Sequence, residues 1–311
     1  MKSPKVGIFG AGHFGRFHAL KLGKSGHLSG LHDPDAARAA LVAGEAGCEV
    51  LGAEALLAAS DAVIVATPTL HHARLADAAL RAGKHVFVEK PITATLAEAD
   101  GLIALAAERG LTLMVGQIER HSAAIQTLRE SLSGRRLVAL EATRVAPFRP
   151  RSLDVSVVLD LMIHDLDLIL SLVPAPLAEV RAVGGSVMTK LPDWAVAQLR
   201  FADGTQAQVT ASRVAVGLER KLRLLGPEGE MRVDFLARSL EFLAPDGEVE
   251  VENMPGWGLT RRSWVDHDSL EAEQAAFMAA IGGGAYEANG VQGRAALDAA
   301  LRVEAALAAS A

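Results

Sequence analysis

Val6-Gly7-Ile8-Phe9-Gly10-Ala11-Gly12-His13-Phe14-Gly15 is the stretch whose reading decides the fold. Four apolar residues read as a short buried strand that runs straight into a glycine turn. Gly10, Gly12 and Gly15 permit a tight turn, close approach of backbone to a pyrophosphate, and close packing of the next helix. Residues 16–22 are helix-like, and a helix starting there offers unpaired N–H groups and a positive dipole end to phosphates. His13 and Phe14 sit in the same turn and join the three glycines as candidate cofactor contacts. Asp33 closes a second short strand, 18 residues after Gly15. A carboxylate there accepts hydrogen bonds from ribose hydroxyls and repels a 2′-phosphate, which favours NAD over NADP. Arg38 is the nearest cation, inside the following helix.

Working outward, residues 61–66 read as a buried strand ended by Thr67-Pro68-Thr69. A helix is expected from His71 and His72 to about Ala82, with Gly83 at its end. Residues 84–89 give the next strand, Thr93 is read as the N-cap of a helix over 96–109, and 111–115 is one more strand. Strands alternating with helices predict a parallel, doubly wound sheet. Within it, Val86-Phe87-Val88-Glu89-Lys90-Pro91 stops at a proline that cannot continue a central strand, so Lys90 is presented at a carboxyl end, where such sheets bind ligands. Adjacent histidines on a helix point apart, and no cluster of acids or cysteines accompanies them. No metal site is therefore expected, and one of the two histidines is read as lining the nicotinamide side.

The 311 residues suffice for two domains, read as a cofactor-binding 1–118 and a substrate-binding and oligomerisation domain 119–311. A net charge of −6 gives no global field for nucleic acid or anionic lipid. The one cysteine, Cys48, excludes an internal disulfide framework and fits a reducing compartment. No apolar run reaches membrane-spanning length and no signal-like region precedes Val6, so a cytoplasmic protein is expected.

The second half holds a helix over 157–173 that is apolar almost all round. At 100° per residue, Asp160, His164, Asp167 and Ser171 fall on one stripe, while Asp165 lies off it and is expected to pair with a backbone group or an arginine. Burying such groups costs several kcal/mol, roughly, unless they are paired or face a wet cavity. An ordinary i,i+4 pair of Asp160 and His164 is the plain alternative. Beyond it, 137–145, 194–201, 205–212, 218–225, 230–235, 239–243 and 248–252 read as strands with period-two patterning and tight turns. They predict a C-terminal α+β domain with a large open, mostly antiparallel sheet, followed by Ala-rich helices over 269–281 and 291–309. The face carrying Gln198, Gln206, Gln208 and Thr210 must be solvated or covered by another subunit.

Gly10-Ala11-Gly12, Ala66-Thr67-Pro68-Thr69-Leu70-His71, the segment from Ala82 through Glu89-Lys90-Pro91, and Met114-Val115-Gly116-Gln117 together resemble the glucose–fructose oxidoreductase / inositol dehydrogenase / rhizopine-catabolism (Gfo/Idh/MocA) family. The resemblance spans essentially the whole chain. It implies an NAD-dependent dehydrogenase of a secondary alcohol of a sugar or sugar nucleotide. Thr67, Pro68, His71, Glu89, Lys90 and Gln117 join the cofactor contacts, with Lys90 beside the nicotinamide. It also implies that Asp160 and His164 face the nicotinamide and that copies assemble as dimers or tetramers through the open sheet. Lys90, Asp160 and His164 are the expected catalytic residues, the base being His164 or Lys90. Arg120, Arg144, Arg149 and Arg151 lie in segments expected to border the substrate, and guanidinium forks suit a diphosphate. With these arginines the chain looks most like the UDP-N-acetylglucosamine 3-dehydrogenase branch, although His121 stands where that branch often has Phe. A NAD-dependent glycosidase that passes through a 3-oxo sugar shares the first step, and a dehydrogenase of a free sugar or cyclitol is a further alternative.

Overall fold

The computed structural model describes residues 3–132, 134–150, 153–245 and 247–310. The first unit begins β1 (Val6–Phe9), α1 (His13–Lys24), β2 (Leu28–His32), α2 (Ala36–Ala46), α3 (Ala53–Ala59) and β3 (Ala62–Val65). It continues α4 (His72–Arg81), β4 (His85–Glu89), α5 (Leu96–Arg109) and β5 (Leu113–Gly116). The strands lie in the order β2-β1-β3-β4-β5, all parallel. Val6, Ile8, Ile64, Phe87 and Met114 are withdrawn from solvent, each contributing about 1.5–3 kcal/mol if aliphatic. The cap of α5 is Thr95, not Thr93: the Thr95 hydroxyl accepts from the Glu98 N–H, and the Glu98 carboxylate accepts from the Thr95 N–H. That reciprocal capping box satisfies two orphan donors, which Thr93 is too far out to do. Thr93 instead donates its hydroxyl to the Thr95 carbonyl.

The second unit opens with α6 (Ala123–Leu132) and β6 (Ala139–Val145), then a π-helical turn Val158–Met162 that leads into α7 (Ile163–Leu172). Strands β7 (Leu177–Gly185), β8 (Trp194–Phe201), β9 (Gln206–Ser212), β10 (Glu219–Gly226), β11 (Gly229–Asp234), β12 (Ser239–Ala244), β13 (Val249–Glu250) and β14 (Gly258–Ser263) follow. Helices α8 (Ser269–Ile281) and α9 (Gly290–Ser310) end the chain. The nine-stranded sheet runs β13-β14-β12-β11-β10-β6-β9-β8-β7, antiparallel except where β6 pairs β9 in parallel. Alternation decides its faces: Ala195, Ala197, Leu199 and Phe201 of β8 are buried, while Trp194, Gln198 and Arg200 are exposed. Strands β7 and β14, which periodicity missed, lie at or next to the sheet's edges, where the apolar half of the pattern is thinned.

The chain's division also differs from a cut at 118 alone. Residues 1–118 and 269–297 make one unit, and 119–268 with 298–311 make the other. Phe277 of α8 packs against Phe87 of β4, and Val115 N–H donates to the Ala288 carbonyl at 2.7 Å. An Ala-rich helix carries no local mark of the sheet it will cover, so the return of 269–297 was not readable.

Candidate active site

In the first unit the expected cofactor residues collect at the carboxyl ends of the parallel strands. Gly10 has a φ of +99°, and a Cβ there would meet the Ala66 carbonyl oxygen at 2.4 Å. A Cβ on Gly15 would lie 1.9 Å from the Gly10 oxygen, so α1 can pack on the turn only without one. Gly12 is different: a Cβ there meets nothing within 4 Å. Its emptiness is what a pyrophosphate needs. The start of α1 has no side-chain cap and no acid in its first turn, leaving its N–H groups to an anion. His13 and Phe14 are exposed on that turn, their rings 5.5 Å apart edge to face.

Asp33 follows β2 and is tied to the turn: the Ala11 N–H donates to Oδ2 at 2.7 Å and the Asp35 N–H to Oδ1 at 2.9 Å. Arg38 reaches the same Oδ1 at 3.2 Å, closer than its place in α2 suggested. Burial pushes the Asp33 carboxyl up, but these two N–H groups and Arg38 outweigh it and hold it below the ordinary carboxylate range. Thr67 is half-buried and Pro68 and His71 exposed after β3. His72 is the buried one, its Nδ1 2.9 Å from the Pro91 carbonyl and its Nε2 2.8 Å from that of Thr67. It ties the β3 and β4 ends together, which leaves His71 as the accessible histidine. Glu89 ends β4, buried, with Lys90 half-buried beside it and a cis bond to Pro91. Gln117 follows β5; its Oε1 is buried with no hydrogen-bond partner among the described residues. An orphaned acceptor at the carboxyl end of β5 fits the amide or hydroxyl donors of a dinucleotide.

In the second unit Asp160 sits in the π turn and His164 in the first turn of α7, both half-buried. The π turn changes the stripe, because one residue too many per turn rotates Asp160 relative to a continuous α-helix. Such turns recur at functional sites. Further along, Asp167 is 1% exposed and binds Arg120, which is 4% exposed. Asp165 accepts both arms of Arg144 at 2.7 and 2.9 Å, as an acid off the stripe was expected to do. Arg144 also donates to Glu119 at 3.1 Å, and Arg220 pairs with Glu119 while stacking over Phe235 at 4.7 Å. Three carboxylates and three guanidinium groups thus compensate one another. Burial opposes the charge on Glu119, but Arg144 and Arg220 hold its carboxyl below the ordinary range.

This corrects the expected substrate contacts. Arg120 and Arg144 are buried with Nε and terminal nitrogens engaged by carboxylates, which turns those donors inward rather than toward a diphosphate. Arg149 is exposed, and Arg151 lies outside the described residues. Glu119, Arg220 and His18 carry no signal in the sequence that singles them out. Among the described residues no three metal-ligating side chains gather, and no helix is long and apolar enough to cross a membrane.

The glycine cradle, Asp33 at the β2 end, and Glu89-Lys90-Pro91 at the β4 end all fall within a span that a described family covers. Residues 4–117 match "Oxidoreductase family, NAD-binding Rossmann fold", and 114–232 match "GFO/IDH/MocA C-terminal domain". The chain belongs to the Gfo/Idh/MocA oxidoreductases. It is an NAD-binding dehydrogenase. It is 42% identical to the UDP-N-acetylglucosamine 3-dehydrogenase of Acidithiobacillus ferrooxidans over 97% of each chain. It is 29% identical to the inositol 2-dehydrogenase of Rhizobium meliloti over 96% of each. A solved structure of the Acidithiobacillus enzyme superposes with a TM-score of 0.94 at 41% identity, covering 99% of each chain.

Proposed function

We propose that this Gfo/Idh/MocA enzyme oxidises the C3 hydroxyl of UDP-N-acetylglucosamine. The observation that carries the reading is the likeness to a dehydrogenase of that substrate over the full length of both chains. NAD, when bound, accepts the hydride that leaves the carbinol carbon. His164 takes the hydroxyl proton, since an imidazole with an ordinary value near 6.5 suits a general base. Lys90 hydrogen-bonds the same oxygen and stabilises the developing alkoxide, and Asp160 orients the sugar or His164. Thr67, Pro68, His71 and Gln117 would border the nicotinamide, and Arg149 is the exposed arginine of the expected diphosphate set.

Absorbance at 340 nm tests this directly. Stoichiometric NADH with UDP-N-acetylglucosamine, and none with inositol or glucose, is the expected result. Lys90→Ala and His164→Ala should each lower kcat by at least about a hundredfold while NAD still binds. Sugar release without net NADH would instead identify the glycosidase.

The exposed face of the nine-stranded sheet is read as the contact between copies of a cytoplasmic homo-oligomer. It carries Gln198, Gln206, Gln208, Arg181 and Arg200 around a basin of about 400 Å³. Light scattering should give a dimer or tetramer mass; a monomer mass of 32.6 kDa would sink this.

A further inference from the structure

Behind the Glu89-Lys90-Pro91 turn, the first unit contains a buried chain of polar groups that runs from Glu89 to Gln274. His18, on α1, is completely buried, with the Phe87 ring edge-on at 5.3 Å. Its Nε2 lies 2.8 Å from Glu89 Oε1. Its Nδ1 lies 2.9 Å from the Gln274 side-chain nitrogen, and that nitrogen also faces the His18 carbonyl oxygen at 3.3 Å. A carbonyl oxygen only accepts, so the atom facing it must be the amide N–H₂ of Gln274. Nδ1 then has to accept as well, and the one ring proton sits on Nε2, aimed at Glu89. An imidazolium would set two donors against each other at Nδ1. The arrangement therefore has the Nε2–H of His18 donating to the Glu89 carboxyl group. The other carboxylate oxygen leaves no room on β5: a Cβ on Gly116 would lie 2.8 Å from Glu89 Oε2.

We infer that His18 and Gln274 are positioning residues, which lock the Glu89 carboxylate in one orientation and so set the backbone that presents Lys90. The reason is geometric. Glu89 is the last residue of β4 and Lys90 the next, so the lysine can be no better placed than the buried carboxylate preceding it. A metal ligand or proton donor would need a path to solvent or substrate, and His18 has neither. The inference rests on Lys90 acting on the alcohol as proposed above.

The test uses the full chain with three variants and three readouts. ¹⁵N-edited NMR of wild type should show His18 as a single Nε2–H tautomer at neutral pH. His18→Leu should lower kcat about tenfold or more with the Kd for NAD changed less than threefold. His18→Gln, which keeps an N–H to reach Glu89, should recover most of that loss. A His18 ring protonated at Nδ1 instead, or unaltered kcat in His18→Leu, overturns the inference. So does equal damage in His18→Leu and His18→Gln. Lys90→Ala, run alongside, separates the two readings: if it keeps full turnover, the role of Lys90 falls. If it loses turnover while His18→Leu does not, only the present inference falls.

Discussion

Arg120 donates through Nε and a terminal NH₂ to both carboxylate oxygens of Asp167, at 2.6 and 2.7 Å, and neither side chain reaches solvent. An arginine that is notable by its charge thus serves the helix that carries His164. With Arg144 on Asp165, it grips α7 at the positions one and three residues beyond His164.

Breaking this pair should be costly and replacing it cheap. Arg120→Ala or Asp167→Asn leaves a buried charge uncompensated, which costs about 3–5 kcal/mol. The double variant Arg120→Met/Asp167→Leu should regain most of the loss. Urea midpoints at neutral pH decide it; additive losses in the double variant would refute the pairing argument.

The glycines of the first turn divide into two kinds. Gly15→Ala forces a Cβ onto the Gly10 carbonyl and should lower Tm by several degrees or more. Gly12→Val meets open space, so Tm should hold while the Kd for NAD rises at least about tenfold, because the side chain fills the pyrophosphate's place. If Gly12→Val kept tight NAD binding, the cradle would be misplaced.

Cofactor choice rests on Asp33 and Arg38 together. Wild type should bind NAD at least about tenfold better than NADP, since a carboxylate faces the 2′-phosphate. Asp33→Ser releases Arg38 from its 3.2 Å contact, so the preference should shrink or reverse. Titrating both dinucleotides by fluorescence checks this. Equal affinities in wild type would remove the role of Asp33.

Stability should fall on the acid side. Burial opposes the charge on Asp193, but the N–H groups of Val187, Thr189 and Met188 with Arg213 outweigh it and hold the carboxyl far below its ordinary value. Glu119 is held down in the same sense by Arg144 and Arg220. A depressed folded pKa contributes stability that is complete above the unfolded value, near 4, and is lost as pH falls through the folded one. Urea midpoints should therefore be level in this respect from about pH 7 to 5 and drop below about 4.5. Asp193→Asn should be less stable at neutral pH with a shallower acid limb; a parallel curve would show that Asp193 is not responsible.

What the sequence determined by itself was whatever depends on neighbours along the chain. Gly10, Gly12 and Gly15 behind a four-residue apolar strand suffice for the dinucleotide turn, because strand, turn and helix start are consecutive. Pro91 after Val86-Phe87-Val88 likewise sets Lys90 at a strand end, and period-two alternation marks which face of β8 is buried. Tertiary structure decided the partners. Arg120 and Arg144 carry the same charge wherever they lie, but their acids are 47 and 21 residues away. Only folding makes those forks internal rather than available. His18 meets Gln274 across 256 residues, through a helix whose Ala-rich sequence does not say which sheet it covers. The π turn at Asp160 depends on packing around the helix start, because intrinsic spacing alone favours the α-helix that the pattern suggested. Local periodicity reports which groups must be buried; only the assembled core determines what they are buried against.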